Sequence, residues 1–153
     1  MSRSKHQLKV NWFMEKAGQE VPVKPKEPSE KVRILRAKLI FEEAMETICD
    51  GLGVEIRTKG GDSIAQIIEE LEYEVEALFD MVETVDGCCD IKVVTTGTLS
   101  ACGIPDEEVQ KLVDDNNLAK FGPGHKIRED GKLLKPEGHK PPDIKGYLEK
   151  LNG

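Results

Sequence analysis

Apolar residues recur at helical spacing after Ser29, and they predict the central helix of the chain. At about 100° per residue, Val32, Leu35 and Leu39 fall on one face of this helix. The opposite side is also apolar and carries Ala37, Ile40, Phe41, Ala44 and Ile48. A helix with two apolar faces is covered on both sides, as in the interior of a helical bundle. We expect it to end at the glycines of residues 51–53, because glycine commonly follows the last turn of a helix.

A shorter amphipathic helix is predicted between Ser4 and Gln19. Its apolar positions follow the i, i+3, i+4, i+7 spacing, with Gly18 as the stop signal, and they are Val10, Phe13, Met14 and Ala17. Residues 21–28, VPVKPKEP, carry three prolines. This composition predicts an extended connector into the central helix, whose first turn Ser29 can cap.

A second long helix is predicted from Ser63 onward. The preceding segment VEIRTKGGD alternates and ends in two glycines, which indicates a small hairpin or an irregular crossover. Ser63 and Gln66 form the S-x-x-Q pattern of a capping box. An apolar stripe then continues for about six turns, through Ile64, Ile67, Ile68, Leu71, Val75, Leu78, Val82 and Val85. Whether the helix continues through Gly87 stays open, since one interior glycine costs only about 1 kcal/mol.

Residues 86–103 form the least polar long stretch and predict a buried helix. Gly103 ends it, Pro105 opens the next helix, and that helix runs to about Asn116. The fold class expected is therefore all-α, a helical bundle with an extended Gly/Pro/Lys-rich C-terminal tail. We expect one domain over residues 1–153, in which residues 1–28 form the N-terminal helix and linker and residues 118–153 form the basic tail.

The charge distribution restricts the partners. Charged residues are 33% of the chain and the net charge is −7, so a nucleic-acid polymer is not expected to bind. The sign is uneven, because residues 118–153 hold eight Lys/Arg against five Asp/Glu and are net positive, while the rest of the chain is strongly acidic. Taken alone, the basic tail is a solubilising segment.

The cysteines and the apolar runs predict the compartment. Cys49, Cys88, Cys89 and Cys102 have no CxxC or Cys/His spacing, so a zinc site is not expected. Free thiols as small apolar residues are typical of a reducing cytoplasm. No apolar run approaches the ~18 residues of a membrane span, and no signal segment begins the chain, so we expect a soluble cytoplasmic protein without a membrane partner.

Acidic residues interrupt the apolar faces of two predicted helices. Glu42, Glu43 and Glu46 continue the stripe of the central helix, and for such a triplet alone a solvated edge is the simplest explanation. A second triplet, however, shares one face with apolar residues on either side and consists of Glu83, Asp86 and Asp90. Buried unpaired carboxylates are costly, and two such helices are better explained by a shared divalent cation. An oxygen-only ligand set suits Mg²⁺ or Mn²⁺.

These acids and the downstream sequence together resemble a known family. Glu42-Glu43-x-x-Glu46, followed by a second acidic helix, resembles the EExxE…ExxD pattern of the all-α nucleoside triphosphate pyrophosphohydrolases, the MazG-like and phosphoribosyl-ATP pyrophosphohydrolase-like group. One branch is similar further on, in the Gly-Thr pair of residues 97–98, the Asn-x-x-Lys box of residues 117–120, and the segments DGKLLKPEG and PPD of residues 130–138 and 141–143.

The resemblance implies hydrolysis of a nucleoside triphosphate between its α and β phosphates, in an all-α homo-oligomer, a dimer or a tetramer. It implies that Glu43, Glu46, Glu83 and Asp86 are metal ligands, with Asp90 a further or alternative ligand. Glu42 is a ligand or the base that orients the attacking water, so Glu42 and Glu43 are the candidate catalytic acids. The residues expected to face the phosphates are Asn117, Lys120, Lys132 and Lys135.

Two alternatives stay open at this point. Glu83-x-x-Asp86 matches ExxD directly, but the sequence around Asp90 is more similar to the family's final Asp, and in that register the Glu falls on Gly87. The alternative function is a metal-stabilised helical interaction module without enzymatic activity.

Overall fold

The computed structural model describes residues 3–128 and 132–152. In chain order the described residues form α1 (Lys5–Lys16), α2 (Glu30–Glu46), α3 (Ile64–Ile67), α4 (Met81–Ala101), α5 (Asp106–Ala119), strands β1 (Lys126–Ile127) and β2 (Leu133–Leu134), and α6 (Ile144–Asn152). The chain divides into two compact units. We call the residues up to Pro25 together with those from Asp80 onward the terminal unit, and Lys26–Phe79 the central unit. The all-α fold class is confirmed, whereas a single domain stays a prediction.

In the terminal unit, α1 packs against α5. The Ser4 side chain caps α1 by accepting from the Gln7 N–H at 3.1 Å. Gly18, at φ 71°, closes the helix with its N–H bonded to the Glu15 carbonyl. Ala17 at this end is buried. The helix predicted between Ser4 and Gln19 is confirmed, and both its cap at Ser4 and its stop signal at Gly18 act on neighbouring residues.

The segment after α5 has more regular structure than the sequence predicted. Strands β1 and β2 pair antiparallel, with Lys126 opposite Leu134 and Ile127 opposite Leu133. Helix α6 follows, and it packs against α5. Leu133 and Tyr147 are buried, and the Tyr147 hydroxyl donates to the Pro105 carbonyl at 3.3 Å. The basic tail therefore contributes to the small apolar core of the terminal unit.

The central unit is built on α2. Ser29 caps it by accepting from the Val32 N–H at 3.4 Å, and Leu35 and Met45 are its buried residues. A π-helical turn, Thr47–Gly51, extends α2. The helical segment therefore ends at the glycines of residues 51–53, as predicted. A bridge between Arg57 and Ser63 then forms the small hairpin that was one of the two predicted alternatives.

The long helix predicted from Ser63 is wrong. Only α3 and a 3₁₀ turn, Ile68–Glu70, form there, and Ser63 makes no side-chain cap. Residues 71–79 contain no helix or strand. The reason lies in a second pattern, because residues 70–76, ELEYEVE, also alternate strictly. In an extended segment this alternation places Tyr73 and Val75 on one side and the glutamates in water.

Two basic residues of α2 hold the extended segment within the central unit. Arg33 donates to the Ala77 carbonyl at 2.7 Å and its guanidinium lies 5.6 Å from the Phe79 ring centroid. Lys38 lies 5.3 Å from the Tyr73 ring centroid. Cations over aromatic rings are attracted by the ring quadrupole. These tertiary contacts favour the extended form over the helix that the apolar stripe predicts. The spacing of apolar residues along the sequence does not reveal them.

The buried environment predicted for residues 86–103 is also wrong, although most of the segment is helical. Asp80 caps α4 by accepting from the Val82 and Glu83 N–H groups at 2.9 and 3.1 Å. No residue of α4 is buried, and Val82 is 75% exposed. Apolar composition predicted burial, but the described chain does not cover this helix.

No helix in the described residues has both the length and the apolar character that a membrane crossing requires.

Candidate functional site

The first acidic triplet lies in the last two turns of α2, in the central unit. Glu43 and Glu46 are exposed and Glu42 is half-buried. The spacing of three and four residues places Glu42 and Glu43 one turn from Glu46. Thr47 follows at once and donates its hydroxyl to the Glu43 carbonyl at 2.8 Å. The end of α2 thus presents carboxylates side by side at the point where the helix widens into its π-helical turn.

The second triplet lies in the first half of α4, in the terminal unit. Glu83, Asp86 and Asp90 are spaced at i, i+3 and i+7, and therefore share one face. All three are exposed. The Asp80 cap fixes the first turn and so fixes the backbone of Glu83, which donates its N–H to that carboxylate. Glu83, Asp86 and Asp90 lie on the same side of α4. The geometry therefore allows either Glu83-x-x-Asp86 or the register that ends at Asp90 as the ExxD motif.

Five of the carboxylates proposed from sequence form no ion pair within the described residues. No salt bridge there includes Glu43 or Glu46 of α2, or Glu83, Asp86 or Asp90 of α4. Such oxygens are the donors that a hard cation such as Mg²⁺ takes, so the donor chemistry fits this ion. Within either unit, no group of three or more His, Cys, Asp or Glu side chains among the described residues is arranged to hold a metal.

Two of the predicted phosphate-binding residues are brought together at the end of α5. The Lys120 ammonium donates to Asn117 Oδ1 at 2.7 Å, and both residues are half-buried. The Asn-x-x-Lys spacing explains this contact, because residues three apart are neighbours on a helix surface. The bond holds the ammonium group of Lys120 against the last turn of α5.

The other two predicted lysines flank strand β2. Lys132 precedes it and is half-buried, while Lys135 follows it and is exposed. Buried Leu133 lies between them and anchors the strand. Asp130 and Gly131 of the family-like segment lie outside the described residues, whereas the other residues of that segment are described. The hairpin therefore holds the backbone of both lysines close to its apolar anchor.

Sequence reasoning missed a buried polar contact between α1 and α5. Asp114 is only 7% exposed, and it accepts from His6 Nδ1–H at 2.9 Å and from Gln110 Nε2–H at 2.9 Å. His6 and Asp114 are 108 positions apart, so no local pattern could link them. The only sequence signal is an acid on the apolar side of α5. This contact fixes the N-terminal helix on α5.

A second missed contact holds the tail on the same helix. His139 Nε2–H donates to Asn116 Oδ1 at 3.0 Å, and Asn116 Nδ2–H donates to the Lys140 carbonyl at 2.7 Å. Asn116 and Asn117 are consecutive in α5. The side-chain amide of Asn116 holds the tail, and that of Asn117 positions Lys120. The PPD segment that follows Lys140 is thereby held at the end of α5.

Charge pairs shift two pKa values at this α1–α5 contact. A hydrogen bond from Lys111 lowers the pKa of Asp115 below its ordinary value, and a second one from Lys9 of α1 adds to the effect. The same hydrogen bond raises the pKa of Lys111. These groups are exposed, so solvent screens them strongly. In the central unit, burial lowers the pKa of Arg36 in α2.

The comparisons with known proteins support the fold. A protein from Exiguobacterium sp. 255-15, provisionally assigned as an NTP pyrophosphohydrolase, has a similar solved structure, with a TM-score of 0.64 and 19% sequence identity. The match covers 99% of this chain and 96% of the other. At this identity the likeness shows a shared fold. No family model and no curated protein matches the chain.

Proposed function

We propose that the protein is a Mg²⁺-dependent nucleoside triphosphate pyrophosphohydrolase of the MazG-like group. It would cleave the bond between the α and β phosphates and release a nucleoside monophosphate and pyrophosphate. The observation that carries the proposal is the placement of carboxylates on α2 and α4 at the spacing of the EExxE…ExxD pattern, of which Glu43 and Glu46, and Glu83, Asp86 and Asp90, form no ion pair among the described residues. The full-length likeness to a provisionally assigned NTP pyrophosphohydrolase supports it.

In this proposal the metal ligands are Glu43, Glu46, Glu83 and Asp86, with Asp90 as a further or alternative ligand. Bound Mg²⁺, or Mn²⁺ in its place, would polarise the phosphate oxygens and neutralise their charge. Glu42 is a ligand or the general base that accepts a proton from the attacking water. That role suits a half-buried carboxylate next to two exposed ones.

The basic residues would bind the triphosphate. Lys120, held by Asn117 at the end of α5, offers an ammonium group whose position is fixed before substrate arrives. Lys132 and Lys135 would neutralise the leaving pyrophosphate, since their attachment to the hairpin limits the chain entropy lost on binding. Their positive charge complements an otherwise acidic protein.

We also propose that the active form is a homo-oligomer, a dimer or a tetramer. Helix α4 is 21 residues long and exposes valines and isoleucine along its length. Exposed apolar surface of this kind is typical of an interface. A second copy of the chain is the occupant we propose, because the same helix carries acids assigned to the metal.

The exposure of α4 also favours the alternative function, an interaction module without activity. Pyrophosphate release from a panel of ribo- and deoxyribonucleoside triphosphates in Mg²⁺ separates the two. The enzyme releases pyrophosphate and monophosphate in equal amounts, and EDTA stops the reaction. An interaction module releases none from any triphosphate. Calorimetry with Mg²⁺ and a non-hydrolysable triphosphate provides a second measurement, because only the enzyme is expected to bind both cooperatively.

A further inference from the structure

An aromatic cluster joins α1 to the segment that follows α5. Phe121 is its centre, with ring centroids 6.0 Å from Trp12, 5.1 Å from Phe13 and 5.7 Å from His125, in edge-to-face arrangements. Edge-to-face aromatic pairs are favourable beyond the area that they bury. The cluster therefore holds the chain after α5 on the last turns of α1.

The structural role of this cluster does not account for Trp12. Phe13 and Phe121 are half-buried and already join the two segments. Trp12 remains 43% exposed, although burial of an aromatic ring is strongly favourable. A single exposed apolar residue is ordinary, but this ring differs from an isolated one. Its edge-to-face contact with Phe121, at an interplanar angle of 86°, fixes its orientation while part of its surface stays in water.

A cation lies over the exposed ring. Lys16, in the last turn of α1, places its ammonium 5.3 Å from the Trp12 ring centroid. In sequence, the segment after Phe121 contains two further basic residues, Lys126 and Arg128. A fixed, exposed aromatic ring beside a cation is a combination with which proteins bind nucleotides, because bases stack on the ring and the cation neutralises phosphate charge.

The aromatic cluster is also adjacent in sequence to Lys120, one of the proposed phosphate-binding residues. Lys120 directly precedes Phe121, so their Cα atoms are about 3.8 Å apart. Lys120 is held by Asn117 at 2.7 Å. The same short segment thus provides a phosphate-binding group and, at the next residue, the ring that orients Trp12. Base and phosphates of one nucleotide would contact neighbouring parts of the terminal unit.

We propose that Trp12 stacks on the base of the nucleotide, with Phe121 orienting its ring and Lys16 neutralising nearby phosphate charge. The nature of the ligand rests on the proposed function. Stacking is tolerant of base identity, because every base presents a π-face and no hydrogen-bond readout is required. The substrate class is therefore a nucleoside triphosphate with weak discrimination among bases.

The chain has one tryptophan, so its fluorescence reports on Trp12 alone. The full chain in Mg²⁺ is titrated with a non-hydrolysable nucleoside triphosphate and, separately, with inorganic tripolyphosphate. Stacking predicts saturable quenching by the nucleotide and little change with tripolyphosphate, which has no base. Equal quenching by both ligands, or no change with the nucleotide, overturns the proposal.

Variants of the same helix separate stacking from packing. Trp12→Ala should weaken nucleotide binding, measured by calorimetry, by a factor of roughly 5 to 100, whereas Trp12→Phe should retain most of it. The binding of tripolyphosphate should be unchanged in both. Leu8→Ala is the matched control, because Leu8 is also in α1 and is 54% exposed. If Trp12→Ala weakens both ligands equally, the effect is structural and the proposal is wrong.

The failure of this proposal and that of the proposed function are distinguishable. Pyrophosphate release without quenching leaves the enzymatic function intact and removes Trp12 from the site. Nucleotide-specific quenching without pyrophosphate release keeps the base contact and removes the enzymatic function. The circular dichroism melting curve of Trp12→Ala shows whether the variant folds, and Trp12→Phe tests the proposal if it does not.

Discussion

His6 in α1 donates to both carboxylate oxygens of Asp114 in α5, at 2.9 and 3.0 Å. Asp114 is the buried acid of α5, and Gln110 on the same helix is its second donor. A buried carboxylate is stable only when donors satisfy it. The contact therefore makes α1 a fixed part of the terminal unit, and with it the aromatic cluster that α1 carries.

The first prediction concerns this contact. Asp114→Ala removes the acceptor of two side chains and should lower the free energy of unfolding by about 1 to 3 kcal/mol. Urea denaturation measures the effect. Lys145→Ala, which changes an exposed charged residue of α6, is the control and should change stability very little. If the Asp114→Ala variant is as stable as the original chain, the prediction is wrong. Water would then satisfy the side chains of His6 and Gln110 as well as the Asp114 carboxylate does.

The second prediction concerns pH. Because hydrogen bonds from Lys111 and Lys9 lower the pKa of Asp115 from its ordinary 3.8, its pairing stabilises the protein above that value. The contribution is lost as pH falls through the lowered pKa. The urea midpoints of the original chain and of Asp115→Asn should thus differ slightly at pH 7 and converge in acid below pH 3.8. A difference that grows in acid would contradict this assignment.

The third prediction compares two glycines. A Cβ on Gly146 in α6 would lie 2.8 Å from Cγ of Asp143, whose carboxylate accepts from the Gly146 N–H. Gly146→Ala should displace this cap, and the loss of about 1 kcal/mol should offset the gain of about 0.5 to 1 kcal/mol that alanine brings inside a helix, so that the free energy of unfolding changes little. Gly87 in α4 has open space around its Cβ position, so Gly87→Ala should instead stabilise the helix by about 0.5 to 1 kcal/mol. Urea denaturation of both variants measures the difference, and an equal gain in stability from the two substitutions would contradict the role of the Asp143 cap.

The fourth prediction tests the metal ligands. Glu46→Gln keeps the side-chain volume and removes a proposed ligand, so pyrophosphate release in Mg²⁺ should fall by at least roughly 100-fold. The helical circular dichroism should be unchanged, because Glu46 is exposed and forms no ion pair among the described residues. Glu149→Gln in α6 is the matched control. Unchanged turnover of Glu46→Gln would exclude α2 from the metal site.

The fifth prediction tests the proposed interface on α4. A charge at Val93 or Val94, which are exposed in the single chain, should disrupt a homo-oligomer that buries them. Light scattering at micromolar concentration should give an oligomer for the original chain and a smaller species for Val93→Glu. A similar charge at Val23, exposed in the connector after α1, should leave the oligomer intact. A monomeric original chain would contradict the proposal.

The parts of the fold that follow from local chemistry were predictable from sequence. Ser4 and Ser29 cap their helices, and Gly18 closes α1, because each acts on residues within one turn. The segment 71–79 was not predictable, since a helical stripe and a strict alternation coincide there and cation–aromatic contacts from Arg33 and Lys38 hold the extended form.

The candidate site shows the same division. The Asn117–Lys120 contact is local and follows from its spacing. The His6–Asp114 bond and the His139–Asn116 bond join residues far apart in sequence, and neither belongs to a periodic pattern. Trp12 and Phe13, two of the aromatic partners of Phe121, also come from a helix about a hundred residues earlier. Sequence alone could suggest which residues carry charge or rings, whereas their partners required the folded chain.

The packing of α1 and α6 on α5 has a consequence for synthesis on the ribosome. Helix α1 is synthesised about a hundred residues before its partner α5, and the hairpin and α6 follow later still. The central unit is continuous in sequence and can fold as soon as it emerges. The nascent chain therefore carries an amphipathic α1 without its partner until α5 has been synthesised. That interval, rather than the finished protein, is when the chain is most exposed to chaperones and to aggregation.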